Sequence, residues 1–203
     1  IMGLGTQMIA WPDELCEDLA ARGYWVVRYD NRDTGLSTHM SDLPAPSFID
    51  VTLRRRKPPY TIDDMAGDAL ALMDELGMNS AHVVGASMGG FIAQTVAVAQ
   101  PRRVRSLTLI MTSTGSRRVG NPKPAVFSRL TKRRVVNDRT TAQQAAVETF
   151  RIIGSKGYAF DEEYLMELGG RSYDRGLDGH GYVRQLAAIA GQAPERVVRA
   201  GLR

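Results

Sequence analysis

Gly85-Ala86-Ser87-Met88-Gly89 decides how this chain is read. It follows Ser80-Ala81-His82-Val83-Val84, a short β-branched run that reads as a buried strand. It precedes residues 91–99, Phe-Ile-Ala-Gln-Thr-Val-Ala-Val-Ala, which read as a helix. Strand, G-x-S-x-G and helix together make a nucleophile elbow. A serine at such a sharp turn carries strained backbone angles and projects its hydroxyl from the sheet. The positions two residues either side face each other across the turn, so Gly85 and Gly89 must be small. The helix that follows starts beside Ser87, and its free N–H groups favour developing negative charge. Ser87 is therefore the candidate nucleophile.

Outward from the elbow, strands and helices alternate. Ile1-Met2 reads as the end of a buried strand, followed by the glycine-rich turn Gly3-Leu4-Gly5-Thr6. Pro12 favours the first turn of a helix that stops at Gly23. Trp11, Leu15 and Leu19 recur at helical spacing and predict one buried stripe, with Cys16 as a small core residue. Residues 24–29, Tyr-Trp-Val-Val-Arg-Tyr, are strand-like. The prolines and basic residues of 43–59 predict a long loop. Thr61 then caps a helix, with Asp64 placed for a capping box and Tyr60 and Met65 for a hydrophobic staple. Pro101 ends the elbow helix, and residues 104–111 form another strand. This alternation predicts the α/β class: a parallel sheet with flanking helices over residues 1–115. Residues 116–203 change character. Helices are predicted at 125–134, 142–153, 161–168, 182–190 and 194–200 with no strand between, a helical cap or lid region.

Composition narrows the function classes. The chain has 203 residues, 43% hydrophobic and 24% charged, with net charge +4. These values fit a soluble globular protein. No apolar run reaches the roughly 18 residues of a membrane span. One cysteine forbids an internal disulfide. The clusters Arg54-Arg55-Arg56-Lys57 and Lys132-Arg133-Arg134 lack aromatic interleaving and are read as solvated surface, so no nucleic-acid partner is expected. Gly3-Leu4-Gly5 fails as a dinucleotide fingerprint, because Met8 stands at the third glycine position. No His/Cys/Asp/Glu cluster has metal-ligand spacing, so no metal and no cofactor are expected. The opening Ile1-Met2-Gly3 has no signal-peptide core, and the location is read as cytoplasmic.

Three segments resemble the α/β-hydrolase superfamily. Met2-Gly3-Leu4-Gly5 is similar to the family's oxyanion turn, with Met2 where a histidine is common. Asp30-Asn31-Arg32-Asp33-Thr34-Gly35-Leu36-Ser37 matches the family's D-x-R-x-x-G-x-S turn. The elbow is the third. The likeness is to serine esterases of the aclacinomycin methylesterase type. It implies that Ser87 is the nucleophile and that the backbone N–H groups of Leu4 and Met88 form the oxyanion hole. Arg32 and Asp33 are read as structural. The implied activity is hydrolysis of a small-molecule carboxylic ester or lactone through an acyl-enzyme. Apolar cap residues Phe127, Phe150, Tyr158, Phe160 and Leu165 point either to a hydrophobic part of the substrate or to packing within the cap itself. Cofactor-free haloperoxidases and C–C hydrolases use the same serine, and a non-catalytic binding protein on the same fold is the rival from another class.

A serine hydroxyl needs a base. The family order places the acid and then the histidine on later strands, and neither strand is visible before Arg203. His82 lies about 16 Å along its strand from Ser87 and is read as a buried strand residue. His39 is read as a pocket-lining residue, and His180, between two glycines, as a surface or hinge residue. The expectation is a fragment whose catalytic acid and histidine lie outside this chain, inactive alone, with unpaired sheet edges.

Overall fold

The computed structural model describes residues 1–53, 55, 57–115, 123, 126 and 136–192. Helix α1 (Asp13–Ala21), the short α2 (Phe48–Thr52) and α3 (Ile62–Glu75) precede strand β1 (Ala81–Ala86). Helix α4 (Met88–Ala99) leaves β1 through Ser87 and returns the chain to β2 (Val104–Ile110). Strands β1 and β2 are parallel, with Val83 opposite Leu107 and Ala86 opposite Ile110. On the other edge of β1, the Ile1 amine donates to Val84 O at 2.6 Å and Ala86 N donates to Ile1 O at 3.0 Å. Residue 1 thus lies where the sequence predicts the end of a neighbouring strand.

The α3 start follows its sequence signals. Thr61 Oγ1 accepts from Asp64 N, and the Asp64 side chain accepts from Thr61 N, a complete capping box. Tyr60 and Met65 are both buried in one cluster with Ile62, Ala66, Ala69, Met88, Ile92 and Val96. This cluster joins α3 to α4. Helix α4 is apolar nearly all round, and it is buried accordingly. Its one large polar side chain in the core, Gln94, donates to Gly90 O and Ser113 O, both at 2.9 Å.

Three expectations are corrected. Residues 24–29 are extended but belong to no ladder, and Tyr24, Trp25 and Val27 are exposed. A strand needs a hydrogen-bonded partner along its length, and here none is assigned. Helix α1 carries no fully buried residue: Leu15 is exposed and Cys16 only half-covered. The stripe it presents lies beside that unladdered segment, to which it is tied by Tyr24 N donating to Leu19 O. His82 is exposed rather than buried. Its Nδ1 meets Ser106 Oγ at 2.7 Å across the parallel ladder, and the Tyr24 ring stands edge-on to it at 5.7 Å.

Two units emerge: Ile1–Asn121 with Asp178–Arg203, and Pro122–Leu177. The second contains α5 (Arg139–Ile153) and α6 (Glu162–Asp174). Gly169 lets these helices approach: a Cβ there would lie 2.8 Å from Ala142 O and Gln143 Cα. Leu165 is buried within this unit, whereas Tyr158 and Phe160 are exposed. The last described helix, α7 (Gly179–Gly191), covers the predicted helix at 182–190, but it packs with the sheet unit. Its Val183, Leu186 and Ala187 cluster with Val51 of α2, and Ala188 enters the main core. The predicted helices at 125–134 and 194–200, Phe127, Arg54, Arg56 and the 132–134 basic cluster lie outside the described residues, save Val126. Among the described residues, no helix is long and apolar enough to cross a membrane.

Candidate active site

Ser87 joins β1 to α4 with φ 53° and ψ −115°. A non-glycine residue in this region stores strain of about 1–3 kcal/mol. The surroundings enforce it. Ser87 N donates to Ile110 O at 2.9 Å, while Ser87 O accepts from Thr112 Oγ1 at 2.8 Å and from Gly90 N at 2.9 Å. The side chain is exposed while its neighbours Ala86 and Met88 are buried. The glycine requirement is literal. A Cβ on Gly85 would stand 2.3 Å from Gly89 O, and one on Gly89 would stand 2.2 Å from Ile1 O.

The Gly3–Thr6 turn lies against this serine. A Cβ on Gly3 would be 3.1 Å from Ser87 Cβ and 3.7 Å from Ser87 Oγ. Thr6 N donates to Gly3 O at 3.1 Å, with Gly5 at φ 61° in the third position of the turn. Leu4 N and Met88 N, the latter at the first helical position of α4, donate to no acceptor among the described residues. Two free main-chain donors thus flank the site of an exposed hydroxyl.

The Asp30–Ser37 turn holds the chain on both sides of the Gly3–Thr6 turn, at Met2 and at Met8. Asp30 Oδ1 accepts from Met8 N at 2.6 Å and Oδ2 from Leu36 N at 3.1 Å, and Ser37 Oγ donates to Asp30 O at 2.6 Å. Gly35 has φ 55°, and a Cβ there would stand 2.3 Å from Asp30 Oδ2. The Asp, Gly and Ser of the D-x-R-x-x-G-x-S pattern are thus the residues that close the turn. Asn31 Nδ2 grips Met2 O at 3.0 Å. Arg32 makes a two-pronged bond to Asp68 of α3, both arms at 2.6 Å. Asp33, wholly buried, receives Arg184, Tyr60 Oη at 2.7 Å and Met40 N at 2.7 Å. Both Arg32 and Asp33 tie elements together.

None of the three histidines is hydrogen-bonded to Ser87 Oγ. His39 is engaged on both ring nitrogens, Nδ1 with Asp178 Oδ2 at 3.1 Å and Nε2 with Gly35 O at 3.0 Å. The Gly35 carbonyl, and then Asp178, raise its pKa above the ordinary value. Asp33, His39 and Asp178 bring one ligating atom each within 4.8 Å of one another. The Arg184 guanidinium bonds to both of these carboxylates and is the cation of the cluster. His180 is exposed, and its backbone N–H donates to the Asp178 side chain that caps α7.

Sequence reading missed the contribution of α7. Gln185 bonds to both turns beside Ser87, Arg184 to Asp33 of the second, and Asp178 to His39 and Arg184. The signal was present: Arg184 and Gln185 interrupt the apolar run Val183–Ala188, where a helix buried all round must pair its polar groups.

Comparison with known proteins bears on the fold. The chain is 43% identical over 102 residues to rhodomycin D methylesterase DauP of Streptomyces sp. strain C5, covering 50% of this chain and 30% of that protein. It is 42% identical over 102 residues to rhodomycin D methylesterase DnrP of Streptomyces peucetius, with the same coverage. The matched stretch thus spans under a third of the length of these curated relatives. A solved carboxylesterase structure from the thaumarchaeon Nitrososphaera gargenis superposes with TM-score 0.64 at 16% identity, over 98% of this chain and 65% of that one, a likeness of fold. A model of the alpha/beta hydrolase fold matches residues 2–151, and the chain belongs to that family.

Proposed function

We propose that this protein is a carboxylic-ester hydrolase with Ser87 as its nucleophile. One observation carries the reading: an exposed serine at a strained elbow, with the Gly3–Thr6 turn pressed against it and the Leu4 and Met88 N–H groups unused. Ser87 Oγ would attack the acyl carbon and lose its proton to a base. The carbonyl oxygen would take up the negative charge, held by Leu4 N–H and Met88 N–H. Collapse would expel the alcohol with that proton and leave acyl-Ser87, which water then cleaves to acid and free serine. Neither His39 nor His82 has a ring nitrogen bonded to Ser87 Oγ; their rings are engaged with Asp178, Gly35 O and Ser106 instead. The methylesterase relatives support an ester of a small alcohol as substrate, and a hydrophobic acyl or alcohol part is the expectation read from the apolar residues of 116–203.

The test is labelling of the full-length gene product containing these residues with a fluorophosphonate probe, beside Ser87→Ala. Labelling and hydrolysis of p-nitrophenyl esters should be lost in the variant, with kcat reduced at least ~10³-fold. A folded wild-type protein that takes no label supports the second reading, a binding protein on the hydrolase fold. The observation favouring that reading is the absence of a base bonded to Ser87 Oγ among the described residues. An ester series of graded acyl length tests the apolar part; flat kcat/KM across the series removes it.

A further inference from the structure

We infer that Gln185 of α7 is a positioning residue that sets the direction of the Leu4 N–H beside Ser87. The inference rests on reading Leu4 N as an oxyanion donor. Gln185 is fully buried. Its Oε1 accepts from Gly5 N at 2.8 Å, and its Nε2 donates to Arg32 O and to Thr34 Oγ1, both at 2.7 Å. The orientation of the amide has one solution. Gly5 N can only donate, so Oε1 must face it; Arg32 O can only accept, so Nε2 must face that side. One side chain therefore links the turn that carries Leu4 to the Arg32–Thr34 turn.

The link acts on the right bond. Gly5 N belongs to the peptide plane that follows Leu4. Holding it, while Thr6 N closes the turn onto Gly3 O, leaves the Leu4 backbone little freedom. Asn31 Nδ2 holds Met2 O on the near side. Tyr182, three residues before Gln185 and so on the same side of α7, lies against Gly5: a Cβ there would come within 2.6 Å of its ring. Arg184, next in sequence, fastens α7 to Asp33 of the same turn. The Gly3–Thr6 turn is thus gripped at Met2 and at Gly5, on either side of Leu4. Asn31 is close in sequence, whereas the grip on Gly5 comes from a helix 180 residues away.

A donor displaced by about 1 Å can cost on the order of 10²-fold in rate. Gln185→Met keeps the length and apolar bulk of the side chain and removes all three bonds. In the full-length protein it should lower kcat for a p-nitrophenyl ester ~10–100-fold with KM within about twofold, because the oxyanion exists only after attack. Amide hydrogen exchange over residues 3–6 should quicken in the same variant while the core of α4 stays protected. Thr34→Val, a milder change that removes one acceptor, should shift both readouts the same way by ~3-fold and serves if Gln185→Met does not fold. Unchanged exchange at residues 3–6 overturns the inference whatever the activity. So does quickened exchange with unchanged kcat. Wild-type protein without Ser87-dependent hydrolysis defeats the proposed function instead, and the exchange measurement still decides the role of Gln185.

Discussion

Arg184 and Asp33 stand 151 positions apart and meet as a two-pronged pair, Nε on Oδ2 and Nη2 on Oδ1, both at 2.8 Å. Their side chains are 3% and 0% exposed. Burial pushes the Asp33 carboxyl up, but the bonds from Arg184, Tyr60 and Met40 N outweigh it and hold the group below its ordinary value. Removing one member of such a pair leaves a buried charge short of a partner, which costs about 3–5 kcal/mol. Arg184→Met should destabilise the sheet unit by that order. Asp33→Asn should do so too, and the double variant should fall well short of the sum. Both tryptophans of the chain, Trp11 and Trp25, belong to this unit, so urea unfolding followed by tryptophan fluorescence reads it selectively. Additive effects in that cycle would show that the pair is not coupled.

The elbow glycines give a graded prediction. A Cβ on Gly89 would meet main-chain oxygens, Ile1 O at 2.2 Å and Met2 O at 2.7 Å. Backbone cannot give way without moving β1's neighbour and the turn beside Ser87. A Cβ on Gly90 would meet the Thr112 side chain at 2.5 Å, and a side chain can turn. Gly89→Ala should therefore cost more than the roughly 1–3 kcal/mol typical of overpacking, and abolish labelling of Ser87. Gly90→Ala should cost less, but it disturbs the Thr112 bond to Ser87 O and should slow labelling. Equal melting temperatures for the two variants would contradict this ranking.

What was legible in the sequence divides along physical lines. Local signals were reliable. The capping box at Thr61, the G-x-S-x-G turn and the closing residues Asp30, Gly35 and Ser37 each depend on neighbours within a few positions. Signals that need a partner failed. The aromatic run at 24–29 has strand composition, but composition supplies no ladder, and it stays extended and exposed. Leu15 has helical spacing, yet spacing alone does not supply the surface that would cover it. The polar pair Arg184-Gln185 within the apolar run of α7 signals buried partners but not which ones, for the same reason. Gln185 and Arg184 reach across more than 150 positions, and only the fold brings them to the turns beside Ser87.

Thr61 offers the simplest check that α3 is nucleated as its sequence implies. Its Oγ1 accepts from Asp64 N at 3.2 Å, and Asp64 Oδ2 accepts from Thr61 N at 2.7 Å. Thr61→Ala should lose about 1 kcal/mol. Arg32 is held by Asp68 further along the same helix, so the loss should leave the Asp30–Ser37 turn in place. The check is a lowered urea midpoint with unchanged labelling of Ser87. A midpoint equal to wild type would mean that the cap contributes nothing here.

His39 makes the stability of the sheet unit depend on pH in a stated direction. Its two ring nitrogens face two acceptors, Gly35 O and Asp178 Oδ2. A neutral imidazole has one N–H and can satisfy only one of them, while the imidazolium satisfies both. The other charges in its surroundings are Asp33, which also raises its pKa, and Arg184, whose Nη2 shares the same Asp178 oxygen at 3.2 Å. The folded-state pKa of His39 is raised, so its contribution is complete below the unfolded value of about 6.5 and is lost as pH rises through the folded value. Asp178 behaves oppositely. Burial raises its pKa, but the Gly181 N–H, His39, the His180 N–H and Arg184 together carry it below the ordinary value. Its contribution, like that of Asp33, is present above about pH 4 and fades as pH falls through the folded values. Stability from this cluster should therefore peak between about pH 4 and 6.5. His39→Ala should be clearly less stable than wild type at pH 6, and the gap in urea midpoint should narrow as pH rises through the folded value, where the wild-type imidazole loses its second donor. A gap of constant size across that range would show that His39 contributes packing alone.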